Sequence, residues 1–422
     1  MRVVISVNVL FLVFFSSISA NAASRFWVSA VALNWSNGAG WSATSGGAPG
    51  ASVPVAADAV FFDGNGLGNC NGDIPVTVVS ITIGSGYTGT ISQNANTMVL
   101  TGAASLSGGI FNGGSSNITV GGAFTLSGTT FTSTSAILEL RNNAAFTSGV
   151  FLHNNGTVKF NCINNAAQTI TGNAPVFYIL EFAGIARTYT MSALVGNITV
   201  LNSLNTSGTL FYNLAGGTID VKGNINSTNT ATGSGGDATI NVNGNSPQTF
   251  TGSTVIGAGA IPQLNINTTG TLALVNNPAV SNNFTYTAGA VNAGGSTFCF
   301  THGNVGAYNI NGSLSLNNIA FPINTSLTTM TIGGTITAAG DLSISGAGGV
   351  ILNTGNINVN GNINLTNTTT NGGGSATINI VGTGPENLDG SAIIVNQSRL
   401  PIININKTSG SLSLFGNISF SN

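Results

Sequence analysis

The stretch GTIDVKGNINSTNTATGSGGDATINVNGNSPQTFTG, residues 217–252, returns later in the chain as GNINVNGNINLTNTTTNGGGSATINIVGTGPENLDG, residues 355–390. The two segments align from end to end without gaps, and 20 of the 36 positions are identical. After small insertions the match extends through PQLNINTTGTLAL (262–274) and PIININKTSGSLSL (401–414). Self-similarity of this kind is typical of repeat architectures, in which each unit buries its apolar face against its neighbours. The long repeat therefore spans 217–274 and 355–414.

Within each copy, apolar and polar residues alternate over short runs such as TIDV and TINV, which is the pattern of half-buried strands. Gly and Asn separate the runs and favour tight turns. A shorter echo, GTVKFNCINNAAQTITG, occupies 156–172. Helical patterning is absent after the first residues, and Gly, Asn and Thr disfavour helix interiors. The pattern predicts an all-β chain of many short strands.

Short strands with tight corners predict a right-handed parallel β-helix, or β-solenoid. Each coil should add one strand to each of two or three sheets, with Val, Ile, Leu and Phe inside and Thr, Asn and Ser outside. Stacked Asn side chains can form hydrogen-bond ladders. At about 22 residues a coil, a common solenoid length, the chain makes about 17 coils. The alternative is a series of tandem β-sandwich modules, which also show regular turns but usually have longer strands and a buried Trp.

The composition is unusual because only 4% of the residues are charged, against about 25% in ordinary domains. The formal net charge is −2 and the eight Lys and Arg residues are scattered singly. Nucleic-acid binding needs a dense field of basic residues, so we expect no nucleic-acid partner. The hydrophobic share of 42% argues against disorder.

The N-terminal text MRVVISVNVLFLVFFSSISANA, residues 1–22, has the pattern of a signal peptide. Arg2 gives a positive start, an apolar run covers 3–15, and Ala20-Asn21-Ala22 forms a cleavage site. The apolar run is shorter than the roughly 20 residues of a membrane-spanning helix. We expect a mature chain that is secreted, extracellular or on the outer cell surface, with no transmembrane segment.

All three tryptophans, Trp27, Trp35 and Trp41, lie within the Trp- and Gly-rich segment 23–75, ahead of the solenoid repeats 76–422. A solenoid must cover the apolar end of its first coil, and indoles bury a large area per residue. The segment therefore predicts an aromatic N-terminal cap. In the alternative, the three rings form a stacking platform that binds glycans.

The chain offers few residues for chemistry. Asp58 and Asp63 are calcium candidates, although turn chemistry explains both carboxylates as well. Cys70, Cys162 and Cys299 have no metal-ligand spacing and are expected to be small buried hydrophobes, with their pairing open. We therefore predict no cofactor, with calcium as the one candidate.

Enzymes with a β-helix fold act on polysaccharides through clustered carboxylates. The ten acidic residues here are dispersed, and charge changes between copies while the apolar skeleton stays: Asp220 becomes Asn358. His153 and His302 are solitary and accompany no recognisable nucleophile motif. We expect a protein that is not an enzyme, with a polysaccharide-degrading β-helix as the alternative.

The N-terminal text RFWV (25–28) and NWSNGAGWSATSGGAPGASVPVAADAVFFDG (34–64) resembles the opening of large secreted repeat-rich proteins of Bacteroidota-type bacteria. The body is similar to their repeats, and these proteins are adhesin-like or autotransporter-like β-helices. The resemblance implies a cell-surface role. Such families commonly carry a C-terminal sorting domain, which is not visible here. Because the second repeat stops without a polar cap, we expect the solenoid to continue beyond residue 422.

These features together predict a structural, adhesin-like stalk that presents weak multivalent surfaces to extracellular glycans or other surfaces. The oligomeric state stays open. A polysaccharide-binding or polysaccharide-degrading protein is the first alternative. An ice-binding protein is the second, because T-x-T triplets such as 169–171 and 249–251 occur, although they do not recur once per coil.

Overall fold

The computed structural model describes residues 22–163, 167–184, 187–301, 306–324, 327–391 and 393–421. The predicted signal peptide therefore lies outside the described residues, apart from Ala22, and so does His302. The described chain is all-β, with one short 3-10 helix at Gly38–Gly40 and no α-helix. No helix in this part of the chain has the length and apolar character needed to cross a membrane.

The N-terminal strands are short, apart from β13 and β15. They are β1 Ser24–Trp27, β2 Leu33–Asn34, β3 Trp41–Ser42, β4 Ala59–Phe62, β5 Cys70–Asn71, β6 Val76–Val78, β7 Ser80–Ile83, β8 Thr90–Ser92, β9 Met98–Leu100, β10 Ala104–Leu106, β11 Ile110–Asn112, β12 Ile118–Val120, β13 Phe124–Thr132, β14 Ile137–Leu140 and β15 Ala144–Leu152.

The central strands include the first copy of the long repeat. They are β16 Thr157–Cys162, β17 Gln168–Asn173, β18 Val176–Gly184, β19 Arg187–Thr190, β20 Leu194–Val195, β21 Ile198–Thr206, β22 Tyr212–Ala215, β23 Thr218–Val221, β24 Asn224–Ser227, β25 Gly235–Gly236, β26 Thr239–Val242, β27 Gln248–Thr251, β28 Gln263–Val275, β29 Ala279–Val280 and β30 Phe284–Asn292.

The C-terminal strands include the second copy. They are β31 Thr297–Phe300, β32 Ala307–Asn311, β33 Leu314–Leu316, β34 Asn318–Pro322, β35 Thr328–Gly333, β36 Thr335–Ala338, β37 Leu342–Ser345, β38 Val350–Asn353, β39 Asn356–Val359, β40 Ile363–Leu365, β41 Thr377–Ile380, β42 Glu386–Gly390, β43 Ile402–Ile405 and β44 Leu412–Gly416.

The strands stack in parallel from one coil to the next, giving a β-solenoid of about 16 turns. Val60 pairs with Ile81, which in turn pairs with Ala104, so that neighbouring rungs come from successive coils. This confirms the predicted β-solenoid. The tandem β-sandwich alternative is wrong, because sandwiches are built from antiparallel pairs. The one antiparallel pair between named strands in the described chain is β1 with β3.

The sheets have 16, 16, seven and five strands. The second of them, called sheet 2 here, runs from β6 through β14, β18, β23, β26, β28 and β30 to β38. Its outward side carries most of the polar features described below.

One apolar core runs through the coils because inward positions alternate with outward ones along each strand. In β23, Ile219 and Val221 are buried while Thr218 and Asp220 face outward. The buried inward residues form one large cluster that extends from Trp27 to Leu400. Continuous burial of this kind makes each coil depend on its neighbours for stability.

The two copies of the long repeat adopt the same backbone. Gly236 and Gly374 occupy the same place in the aligned segments and have positive φ angles of 121° and 112°. A Cβ on Gly236 would lie 2.2 Å from the carbonyl oxygen of Leu214, and one on Gly374 would lie 2.1 Å from that of Leu352. These two leucines precede their glycines by the same interval along the chain. The sequence repeat is therefore a repeat of structure, down to a corner that only glycine fits.

In the last described coil, the apolar side chains that continue the inward-facing positions of the core are exposed. Ile405 and Leu414 are 61% and 64% exposed, whereas Ile266 and Leu274, their counterparts in the first copy, are 1% and 4% exposed. In the first copy β30 packs on β28 and covers these residues. No described coil packs on β43 and β44 in the same way.

Candidate functional site

The three tryptophans form one buried aromatic cluster at the N-terminal end of the solenoid. Trp27 and Trp41 pack edge to face with ring centroids 5.0 Å apart, and Trp35 packs on Trp41 at 4.9 Å. Phe62, from the next rung, lies 5.8 Å from both Trp27 and Trp41. Each indole is at most 1% exposed. No ring face is open, so a sugar has nothing on which to stack in this arrangement.

The chain reaches this geometry through an enlarged first coil. The paired residues Phe26 and Phe61, in β1 and β4, lie far apart along the chain. The paired residues Ala104 and Phe124, in a later rung, lie closer together. The first coil therefore contains more residues than the later one. The extra residues carry β3, which lies against β1 at the end of the sheet. The insertion therefore places the indoles over the open end of the core.

The polar edges of the cluster are also paired. The Nε1 atoms of Trp27 and Trp41 donate hydrogen bonds of 2.8 Å to the carbonyls of Gly68 and Trp35. A buried indole N–H usually needs such a partner. Both rings are therefore held by packing and by hydrogen bonds together.

The calcium candidates Asp58 and Asp63 belong to separate hydrogen-bond networks. Asp58 is buried, accepts hydrogen bonds from the backbone N–H groups of Ala23 at 3.1 Å and Val55 at 3.0 Å, and lies 3.7 Å from the Arg25 guanidinium. These contacts tie the start of β1 to the loop before β4.

Asp63 forms a turn at the end of β4. It accepts hydrogen bonds from Ser45 Oγ at 2.6 Å and from the backbone N–H of Asn65 at 3.2 Å. Burial alone would raise the pKa of Asp63, but these hydrogen bonds outweigh it and hold the pKa below its usual value. In the described parts of the chain, no three His, Cys, Asp or Glu residues gather in a way that could hold a metal ion.

A column of charged residues crosses the outer side of sheet 2. Strand register places Glu139, Lys159 and Glu181 on successive rungs. Lys159 Nζ lies 3.1 Å from Glu181 Oε1, and Arg141 lies 2.9 Å from Glu139 Oε2. From the sequence alone these residues are single scattered charges. Their proximity in space depends on the length of each coil, which the sequence does not give.

The electrostatics of this column favour the ionised form of Glu139. Burial would raise the pKa of Glu139, but hydrogen bonds from Arg141 and Asn161 and the positive charge of Arg141 and Lys159 lower it overall. A glycoside hydrolase needs a general acid whose pKa is raised. The shift at Glu139 has the opposite sign, as in a surface ion-pair ladder.

Two asparagine ladders run along equivalent positions of the two repeat copies. In the first, Asn241 Nδ2 donates to Asp220 at 2.7 Å and Asn265 Nδ2 donates to Asn241 at 3.0 Å. In the second, Asn379 bonds to Asn358 and Asn404 bonds to Asn379, each at 2.9 Å. Rungs of parallel strands bring such amides into hydrogen-bond reach.

A polar groove opens beside the first ladder on the outer side of sheet 2. Its volume is about 320 Å³, and it is lined by Asn241, Asn243, Asn265, Asn267, Thr285 and Thr287. Asn243 Nδ2 donates to Asp220 Oδ1 at 3.1 Å, which turns this amide toward the first ladder. The Asn243 Oδ1 atom is buried, and none of the described residues donates a hydrogen bond to it. Sequence reading does not find this groove, because its lining comes from three separate strands and their connections.

His153 and the three cysteines make structural contacts. His153 stacks on Tyr178 with ring centroids 5.7 Å apart, and its Nδ1 accepts the backbone N–H of Asn155 at 3.0 Å. All three cysteines are buried. Burial raises the pKa of Cys299 to about 12 and also raises that of Cys70, so neither thiol is readily ionised.

Comparisons with known proteins give no further guide to this surface. No protein-family model matches the chain. No curated protein and no solved structure matches it either.

Proposed function

We propose that the protein is a secreted or cell-surface β-solenoid that serves as an adhesin-like stalk without enzymatic activity. The observation that carries the proposal is the continuous apolar core, which extends from Trp27 to Leu400. With about 16 turns and a rung spacing of about 4.8 Å, the solenoid is on the order of 80 Å long. A rod of this kind holds surfaces away from the point of attachment.

The chemistry of the outer surface supports the same role. The surface is nearly neutral and rich in Asn, Thr and Ser, so each contact to another surface is weak and short-ranged. Repeated weak contacts along a stiff support gain strength because binding at one position raises the effective concentration at the next. The signal-peptide pattern in residues 1–22 agrees with a place outside the cell.

The test uses the full chain in its native cell. Cell fractionation, surface proteolysis of intact cells and sequencing of the mature N-terminus should find a protein that starts near Ala23 and is accessible from outside. Small-angle scattering of the purified mature protein should give an elongated particle. A protein retained inside the cell with Met1 intact, or a compact particle, would overturn the proposal.

A polysaccharide-binding role is the second candidate, and the groove beside the first asparagine ladder favours it. The groove is lined by four amides and two hydroxyls. Its volume falls within the range of about 300–1,000 Å³ seen for ligand sites.

A further inference from the structure

We propose that the groove beside the first asparagine ladder is a subsite for a strand of neutral polysaccharide. The groove is lined by Asn241, Asn243, Asn265, Asn267, Thr285 and Thr287. The inference rests on the proposed extracellular role, since it names the ligand class that one surface of the rod takes.

The chemistry of the lining fits carbohydrate hydroxyl groups. Each amide offers both an acceptor and donors, and each Thr hydroxyl can do either. A sugar hydroxyl likewise donates and accepts, so it can pair with either kind of group. None of the six lining side chains carries a charge. Lys222 Nζ donates to the backbone carbonyl of Asn243 at 3.4 Å, but a polyanion would require a cluster of such residues, as nucleic acids do.

The groove is preorganised by the strands beneath it. Asp220 accepts hydrogen bonds from Asn241 at 2.7 Å and from Asn243 at 3.1 Å, and Asn241 in turn accepts one from Asn265. These amides are therefore held in place before any ligand arrives. Binding to a site whose side chains are already ordered costs less conformational entropy.

Asn243 also has hydrogen-bonding capacity that the protein leaves unused. Its Oδ1 atom is buried and has no hydrogen-bond partner in the described structure. Buried polar groups in proteins are nearly always paired, with protein groups or with ordered water, so this acceptor keeps the capacity for one further hydrogen bond. Because this atom has almost no accessible surface, a ligand O–H group would satisfy it once the Asn243 amide turns toward the groove.

Comparison with the second repeat copy distinguishes the amides that build the ladder from the amide of Asn243, which we assign to ligand binding. Asn241 and Asn265 correspond to Asn379 and Asn404, which keep the ladder. Asn243 corresponds instead to Val381. The ladder thus forms with or without the amide at this position, and the natural replacement in the second copy is valine. Asn243→Val therefore removes the unpaired acceptor with a side chain that the same backbone already accommodates.

The experiment measures the affinity of the full mature protein for soluble polysaccharides by electrophoresis through gels that contain them. The neutral probes are mixed-linkage β-glucan, arabinoxylan, galactomannan and dextran, and polygalacturonate is the anionic comparison. The wild-type protein should be retarded by at least one neutral polymer, and Asn243→Val should weaken that binding about tenfold or more. Asn267→Val should weaken it as well.

The matched control is Asn406→Val, the substitution equivalent to Asn267→Val in the second copy, and it should bind as the wild type does. Circular dichroism and small-angle scattering check that every variant keeps the solenoid. If no neutral polymer retards the protein, if Asn243→Val binds unchanged, or if polygalacturonate binds more tightly, the groove assignment is overturned. A correctly exported rod with any of these results would leave the stalk proposal standing, whereas an unexported or compact protein defeats the stalk proposal itself.

Discussion

Glu386 and Lys407 form a buried ion pair at the corner where the first copy of the repeat has the neutral pair Gln248 and Thr268. The Glu386 and Lys407 side chains are 3% and 8% exposed. Both members of the pair differ between the copies: the first copy has two neutral residues, and the second copy has two opposite charges. A single change would have left a charge buried without a partner, which is strongly unfavourable.

The two pairs contact the same parts of the corner. Thr268 Oγ1 donates to the carbonyl of Gly244 at 2.6 Å, and Lys407 Nζ donates to the carbonyl of Gly382, the equivalent glycine, at 2.7 Å. Lysine therefore replaces threonine as a donor to the backbone while it also compensates the carboxylate. Position 386 lies in the segment PENLDG (385–390), which aligns with PQTFTG (247–252) in the first copy.

Removing only the lysine should destabilise the C-terminal coils. In Lys407→Thr the Glu386 carboxylate stays buried without a counter-ion, and we expect a loss of about 3–5 kcal/mol. The double variant Glu386→Gln with Lys407→Thr rebuilds the pair of the first copy and should recover most of that loss. Hydrogen exchange followed by mass spectrometry, on peptides covering 386–416, measures both effects. Equal instability of the single and double variants would show that the two residues are not coupled.

The aromatic cluster should control the stability of the N-terminal end. Trp41→Ala removes the ring that contacts both Trp27 and Trp35, and substitution of a buried Trp by Ala costs about 3–5 kcal/mol. Because the only tryptophans are in this cluster, the residual tryptophan fluorescence reports this end alone, and thermal unfolding followed by fluorescence should begin earlier. Unchanged thermal stability of Trp35→Ala and Trp41→Ala, together with lost glycan binding, would instead support a stacking platform.

The left-handed glycine corners should tolerate no side chain. Gly236→Ala and Gly374→Ala each place a Cβ within 2.2 Å of a backbone carbonyl oxygen at a positive φ angle, and each should lower the midpoint of thermal unfolding. Gly295→Ala is the control, because among the described residues no atom beyond its two chain neighbours lies within 4 Å of its Cβ position. Differential scanning calorimetry compares the three variants. A neutral result at Gly236 and Gly374 would contradict the close approach of these backbones.

The charged column should make stability depend on pH in the acid range. The pKa of Glu139 is lowered in the folded protein, so its contribution is fully present above the unfolded value of about 4.3 and is lost as the pH falls through the folded value. Glu139→Gln should therefore be less stable than the wild type near neutral pH, and the difference should shrink below about pH 4. Melting temperatures between pH 7 and about 2.5 measure the gap, and a gap independent of pH would contradict the assignment.

The fold was predictable because two independent signals agree. The alternation in runs such as 218–221 predicts strands, and the return of segment 217–252 at 355–390 predicts stacked copies. Both depend only on which residues point inward, a property that the sequence displays directly. The prediction of about 17 coils is close to the structure's count of about 16 turns, because an average of about 22 residues a coil is nearly right.

The surface was much less predictable, because it depends on the length of each individual coil. Ala104 pairs with Phe124, whereas Ala144 pairs with Ile170, so the second of these coils is longer than the first. An average coil length cannot place Glu139 beside Lys159 or Asn243 beside Asp220. Those neighbours follow from the exact register, which corner loops of variable length determine.

The short interval between neighbouring rungs also has a consequence for how the protein folds. After the enlarged first coil, the paired strands lie about one coil apart along the chain, as β10 and β13 do. Parallel β-structure usually folds slowly when its strands are remote in sequence, because loop closure must come first. In this solenoid each coil pairs with the coil directly before it in the chain, so only short loops have to close. The small sequence separation therefore permits growth by sequential addition of coils.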